Sequence, residues 1–283
     1  MPKIAIITDT DSSLTPEIAA RYDIRLVPIT VEFGGQSFTT GVDIDDQKLF
    51  EMVDRENKLP TTSAPSPGAF ATAYEAAFAA GAEAVVCICV SSKVSSTYSS
   101  ALSACESFPG KAILVIDSLT LCMGQGYMAL AAAEAAQKGA ALDEVEAKVR
   151  ALESHLHLFA AVPTLKYLAL SGRVGKFMAG MANVLDIKPV LTVRDGSLVL
   201  LERVRTQKKA VERMLELVDQ ALEGSAIERL SMIHVNNEEG ARALQDQICK
   251  SHNCTGEVLI VPFNPGLSVH AGSGVVGVVI QTR

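Results

Sequence analysis

No run of lysines or arginines occurs in this chain, whose 283 residues carry a formal net charge of −7. A nucleic-acid partner calls for a basic face, so that class is excluded. No apolar stretch approaches the length of a membrane span. The nearest, residues 128–136, is rich in alanine and interrupted by Glu134. The six cysteines, Cys87, Cys89, Cys105, Cys122, Cys249 and Cys254, include no CxxC pair, which argues against zinc or a redox dithiol. They are read as reduced thiols, with Cys87 and Cys89 on the same face of a core strand pattern. His155, His157, His234 and His252 lack metal-ligand spacing. The opening residues, MPKIAIITDTDSS, run straight into a strand pattern without a signal peptide, which predicts a cytoplasmic protein. A GxSxG elbow is missing as well. His270 could act as the base of a serine nucleophile, but the hydrolase signature is not there.

What is present begins with apolar residues, 48% of the chain, enough for a large core in one large or two ordinary domains. Two hydroxyl-rich stretches stand out. In Pro60-Thr61-Thr62-Ser63-Ala64-Pro65-Ser66-Pro67, Ser66 reads as a helix N-cap and Pro67 as the first helical residue, where its missing N–H costs nothing. Neutral hydroxyl donors then lie beside the positive end of a helix, which suits an anion or a carboxylate. The alternative is an ordinary capped loop. The second stretch follows residues 83–90, EAVVCICV, a buried parallel-strand pattern. It runs from Ser91 to Ser100 and includes Ser95, Ser96 and Thr97. Ligands of open α/β sheets collect at the carboxyl ends of strands, so hydroxyls here are better placed than on a surface turn. Serines that merely cap a helix are the alternative.

Strand and helix patterns alternate through the first half: a strand over 3–8, a helix opened by Thr15-Pro16, a strand over 24–33, and a helix over 44–55. A strand over 111–116 and a long helix after Gly124-Gln125-Gly126 follow. The alternation predicts doubly wound α/β. Near residue 156 the pattern changes. Strands over 156–162, 187–193 and 198–204 appear, the last two flanking Asp195-Gly196, a hairpin signal. A helix over 206–223, a strand over 230–235, a helix over 237–250, and strands over 257–262 and 275–281 complete a second, α+β unit. The expected domains are 1–155 and 156–283.

Three motifs are tempting. Gly272-Ser273-Gly274-Val275-Val276-Gly277 fits GxGxxG, but too few residues follow for the helix and strand that a dinucleotide fold needs. Residues 172–176 have a P-loop flavour with the wrong spacing. Asp9-x-Asp11 after the first strand is similar to the nucleophile loop of haloacid-dehalogenase phosphatases, yet the acidic pair and lysine of that family have no clear counterpart. A capping or turn role is the stronger reading for these aspartates.

Taken together, the motifs resemble the DegV family of bacterial fatty-acid-binding proteins, which includes the carrier subunits of fatty-acid kinase. The similarity runs through Thr8-Asp9 to Leu14, the Pro60–Pro67 stretch, Ser91-Ser92-x-x-Ser95-Ser96-Thr97-Tyr98, and Asp117-Ser118 with Met123-Gly124-Gln125-Gly126. It continues through residues 165–173, Lys188-Pro189-Val190-Leu191, Asp195-Gly196, Arg205-Thr206 and His270-Ala271-Gly272-Ser273-Gly274. Each motif alone is weak; all of them in this order are specific. Ser96 replaces the family's motif glycine, Ala64 its usual glutamine, and Ala271 and Ser273 its usual threonine and proline.

The resemblance implies a two-domain DegV-like fold, an α/β domain with a parallel sheet followed by an α+β domain with a mostly antiparallel sheet. It implies one long-chain fatty acid in an internal tunnel, its carboxylate held by Thr62, Ser95 and His270 at the domain junction. It also implies a separate kinase partner that converts the carboxylate to an acyl phosphate, with Arg173 near the ligand head and the docking face. The residues themselves agree. A carboxylate leaving water needs several donors, which Thr62, Ser63, Ser95, Ser96 and His270 can supply. At roughly 0.8 kcal/mol per buried methylene, about fourteen methylenes offer about 11 kcal/mol before costs, so no covalent chemistry and no cofactor are expected. The competing reading is an enzyme, an Asp9-dependent phosphatase or a serine hydrolase acting on a lipid-like substrate.

Overall fold

The computed structural model of the protein describes residues 3–173, 187–252, 254 and 256–283. In chain order the first half comprises β1 (Ile4–Asp9), α1 (Pro16–Arg21), β2 (Ile24–Val27), β3 (Thr30–Phe33), β4 (Gln36–Thr39), α2 (Asp46–Glu56) and β5 (Thr61–Ser63). It continues with α3 (Pro67–Ala79), β6 (Ala84–Cys89), α4 (Thr97–Cys105), β7 (Ala112–Asp117), α5 (Met123–Gln137) and α6 (Leu142–Ala151). The second half comprises β8 (Leu156–Ala161), α7 (Lys166–Ser171), β9 (Lys188–Arg194), β10 (Ser197–Val204) and α8 (Gln207–Leu222). After these come β11 (Ile227–His234), α9 (Glu238–Ser251), β12 (Val258–Pro262), α10 (Pro265–Ala271) and β13 (Val276–Thr282).

The N-terminal strands form a four-stranded parallel sheet in the order β2-β1-β6-β7. Every residue of β6 is buried, as expected for a strand covered on both faces. The C-terminal strands form a six-stranded sheet, β10-β9-β8-β13-β11-β12, antiparallel except for β11 with β12. The expected α/β architecture with a parallel and a mostly antiparallel sheet is therefore present. Along β8 the side chains alternate as a two-residue period demands. Leu158, Ala160 and Val162 join the large core shared by both halves of the chain. Phe159 and Ala161 pack into a separate core under α8 and α9.

Several expectations need correction. The strand expected over 24–33 is two strands, because Pro28 offers no N–H to continue the ladder. Beyond it, β3 leaves the parallel sheet and pairs with β4 and β5 in a small antiparallel sheet. The residues expected as a stiff hydroxyl loop are β5 itself, with Thr62 opposite Val31. Gly124 and Gly126 lie inside α5, where a Cβ on Gly126 would stand 2.9 Å from the Ser12 carbonyl oxygen. Helices α6 and α10 were not anticipated. The cysteines are not all reduced: Cys249, near the end of α9, is disulfide-bonded to Cys254. A separation of 5 residues at a helix end lets the chain turn back far enough for the two sulfurs to meet. The other four cysteines are free. The P-loop-like segment beyond Arg173 lies outside the described residues. No helix among the described residues is long and apolar enough to cross a membrane.

Candidate ligand-binding site

The two hydroxyl segments meet α10 across a cavity of about 500 Å³. Its polar lining includes Asp11, Thr62, Ser95, Ser96, Arg173 and His270, and its apolar lining includes Leu121, Leu158, Ala160, Val162, Leu191 and Val275. A second cavity of about 720 Å³ along β10 shares Lys93, Val94, Arg173 and Leu198 with the first, so the two adjoin. A cavity lined by both polar groups and apolar side chains suits an amphipathic ligand.

Local structure positions each group. Ser66 caps α3 by accepting from the Ala69 N–H at 3.2 Å, and Pro67 opens the helix, as the sequence predicts. That corner fixes β5, whose alternation points Thr62 into the cavity and leaves Ser63 exposed and off the lining. Ser63 is therefore not brought to the site, because strand geometry sends adjacent side chains to opposite faces. Thr62 Oγ1 lies 3.0 Å from His270 Nε2. Burial pushes the His270 pKa down to about 4, with a smaller contribution from the positive charge of Arg173, so the ring is neutral near pH 7. Its Nδ1 is buried without a partner among the described residues.

Ser95 Oγ lies 2.8 Å from Thr97 Oγ1 and accepts from the Thr97 N–H, which organises the start of α4. Ser96 is the N-cap of α4, yet its side chain makes no cap hydrogen bond and is exposed at the cavity wall. Arg173 is partly buried, lines both cavities and donates from Nη1 to the Ser171 carbonyl at 2.7 Å.

Asp9 takes a different role from a nucleophile's. Its carboxylate is buried and accepts from the Asp11 N–H at 3.0 Å, the Val90 N–H at 2.8 Å and Gln125 Nε2 at 2.9 Å. Burial raises its pKa to about 6 against the pull of these donors. It ties the end of β1 to the end of β6 and to α5, which matches the turn role expected for it. Asp11, which the sequence reading left among turn residues, instead lines the cavity. Phe263 and Leu267 were likewise missed, because α10 was not anticipated. Its signal was legible: Asn264 caps it and Pro265 opens it. Among the described residues no group of three or more His, Cys, Asp or Glu side chains is arranged to hold a metal ion.

Residues 3–283 match the model of a family described as uncharacterised proteins of the DegV family. A DegV domain-containing protein of Halalkalibacterium halodurans is 35% identical, the match covering 98% of each chain. Among solved structures, a fatty-acid-binding DegV family protein of Thermus thermophilus superposes with a TM-score of 0.93 at 31% identity, over 99% of this chain and 100% of that one. DegV of Bacillus subtilis, a fatty acid binding protein, gives 0.90 at 28% identity over the whole of both chains. A stearic acid-binding protein of Eubacterium ventriosum gives 0.87 at 26% identity, covering 99% and 98%.

Proposed function

The chain belongs to the DegV family, and we propose that it binds one long-chain fatty acid non-covalently and presents its carboxylate to a fatty-acid kinase. The observation that carries the reading is the cavity itself. One cavity is lined by apolar side chains and by Thr62, Ser95 and His270, which come from three distant segments of the chain. We read residues 1–155 and 156–283 as two domains with the ligand at their junction. Each half has its own sheet, and both line the cavity.

The neutral ring of His270 suits a relay. With its hydrogen on Nε2 it donates to Thr62 Oγ1, which leaves the Thr62 hydroxyl hydrogen for the carboxylate. Ser95, with Thr97 behind it, supplies a second hydroxyl, and Ser96 can add a third at the rim. Arg173 suits a later step. Making an acyl phosphate adds negative charge, and a guanidinium contacts phosphate oxygens in a bidentate way. The exchange belongs in the cytoplasm, where the kinase's nucleotide is found. The three donors on the buried Asp9 carboxylate speak against a phosphatase nucleophile there.

One variant panel separates the two steps. Thr62→Val and Ser95→Ala are each expected to weaken fatty-acid binding by about 1.5–3 kcal/mol, the worth of a hydrogen bond to a charged group. Arg173→Ala is expected to keep its lipid but to slow ATP-dependent phosphorylation by a fatty-acid kinase subunit. Binding of a labelled fatty acid and kinase-coupled turnover are read side by side. Unchanged affinity in the first two variants removes them from the site. Normal turnover in the third returns Arg173 to an ordinary solvated charge.

A further inference from the structure

Asp11 is an anomaly among the polar residues that line the cavity. It is only 6% exposed, yet neither carboxyl oxygen accepts a hydrogen bond among the described residues. Oδ1 is shut away: a Cβ placed on Gly266 would stand 2.5 Å from it, so this oxygen presses on the first turn of α10. That leaves Oδ2 on the cavity side. Gly266 and His270 are four residues apart on α10, which stacks them on one face of the helix. The Asp11 carboxyl and the imidazole assigned to the ligand head therefore line the same cavity.

An ionised carboxylate without donors is strongly disfavoured in such a place, and its neighbours among the described residues do not rescue it. Asp9, two residues away on β1, holds three donors and is the natural seat of negative charge in the pair. Cys122 at the head of α5 carries a neutral thiol, pushed up to about 12 by burial. His270 from α10 is neutral. Arg173, after α7, is the cation whose field reaches both Asp11 and His270. Burial and the Asp9 charge raise the Asp11 carboxyl well above the ordinary range, with Arg173 opposing them.

Resting on the fatty-acid reading above, we propose that Asp11 binds the ligand's carboxylate as a neutral acid. Oδ2–H donates to the carboxylate, and the two carboxyl groups share a single proton. No bond is made or broken beyond the movement of that hydrogen between two oxygens. An O–H···O⁻ pair is short and strong, and it satisfies Asp11 as well as the ligand. The site thereby favours an anion that can accept a hydrogen over a neutral lipid head such as an alcohol or ester. It also keeps the total charge of the head group at minus one.

Infrared spectroscopy of the whole protein loaded with palmitate, at about pH 8.5, tests this. Asp9 and Asp46, whose values are raised to about 6 and about 7, are then ionised, so they do not contribute. The expected result is a protonated-carboxyl band that disappears in Asp11→Asn. Asp11→Asn, which keeps a neutral donor, is expected to retain more of the palmitate affinity than Asp11→Leu does. Asp11→Leu is expected to lose roughly tenfold to a hundredfold in affinity. A loaded original chain without that band overturns the inference and leaves fatty-acid binding intact. So does an Asp11→Leu chain that binds at full strength. Failure of the original chain to bind palmitate overturns both readings.

Discussion

Ala160→Phe is expected to lower the affinity for a long-chain fatty acid by roughly 200-fold. Ala160 is 5% exposed and lies on the face of β8 that lines the cavity, between Leu158 and Val162. A phenyl ring there occupies the space of about four methylenes, and at about 0.8 kcal/mol each that removes about 3 kcal/mol of tail burial. Shorter acids, which do not reach the ring, are expected to lose less. The fold is expected to tolerate the change, because the ring fills space that is already open rather than forcing packed atoms apart. Titration with a homologous series of acids, beside a thermal melt, reads both effects. An unchanged chain-length profile would mean that the tail lies elsewhere.

Gly277→Ala has the opposite character, with a large effect on stability and none designed for the ligand. Gly277 lies in β13, the strand between β8 and β11, opposite Ala160. A Cβ there would stand 2.6 Å from the Phe159 carbonyl oxygen and 3.0 Å from the Ala160 Cα and Cβ. Two of these contacts are backbone atoms of a paired strand and cannot swing aside. The expected cost is about 3 kcal/mol or more, a drop of roughly 5 °C in melting temperature for a chain of this size. Urea and thermal denaturation check it; an unchanged midpoint would show that β8 and β13 can part without penalty. The same crowding explains the GxGxxG pattern. Gly272 ends α10 at a φ of 86°, where a Cβ would meet the Tyr167 ring at 2.6 Å. Gly274 also has positive φ, and Gly277 admits close strand packing. The motif is a packing device rather than a nucleotide loop.

Local chemistry made much of this readable. Ser66-Pro67 and Thr15-Pro16 begin helices as their residues dictate, and Asp195-Gly196 turns a hairpin. The apolar run ending at Val90 is a fully buried strand, and the serines after it reach the cavity. What stayed hidden depends on partners far away in sequence. Whether Thr62 or Ser63 faces the cavity is decided by the register of β5 on β3, which neither hydroxyl encodes alone. The exposure of Asp11 to the cavity depends on α10, more than 250 positions later in the chain. Gly126 sits in a helix because Ser12 crosses it closely, a contact that no helix pattern announces. The Cys249–Cys254 bridge illustrates the limit for cysteines, since spacing alone does not fix pairing.

Native mass spectrometry of the freshly purified chain tests the central claim most directly. Tail burial of the size estimated above holds a fatty acid through purification. The account therefore predicts a mass equal to the chain plus one long-chain fatty acid, with the excess reduced in Thr62→Val and Ser95→Ala. The bare chain mass alone, unchanged after incubation with palmitate, would contradict it.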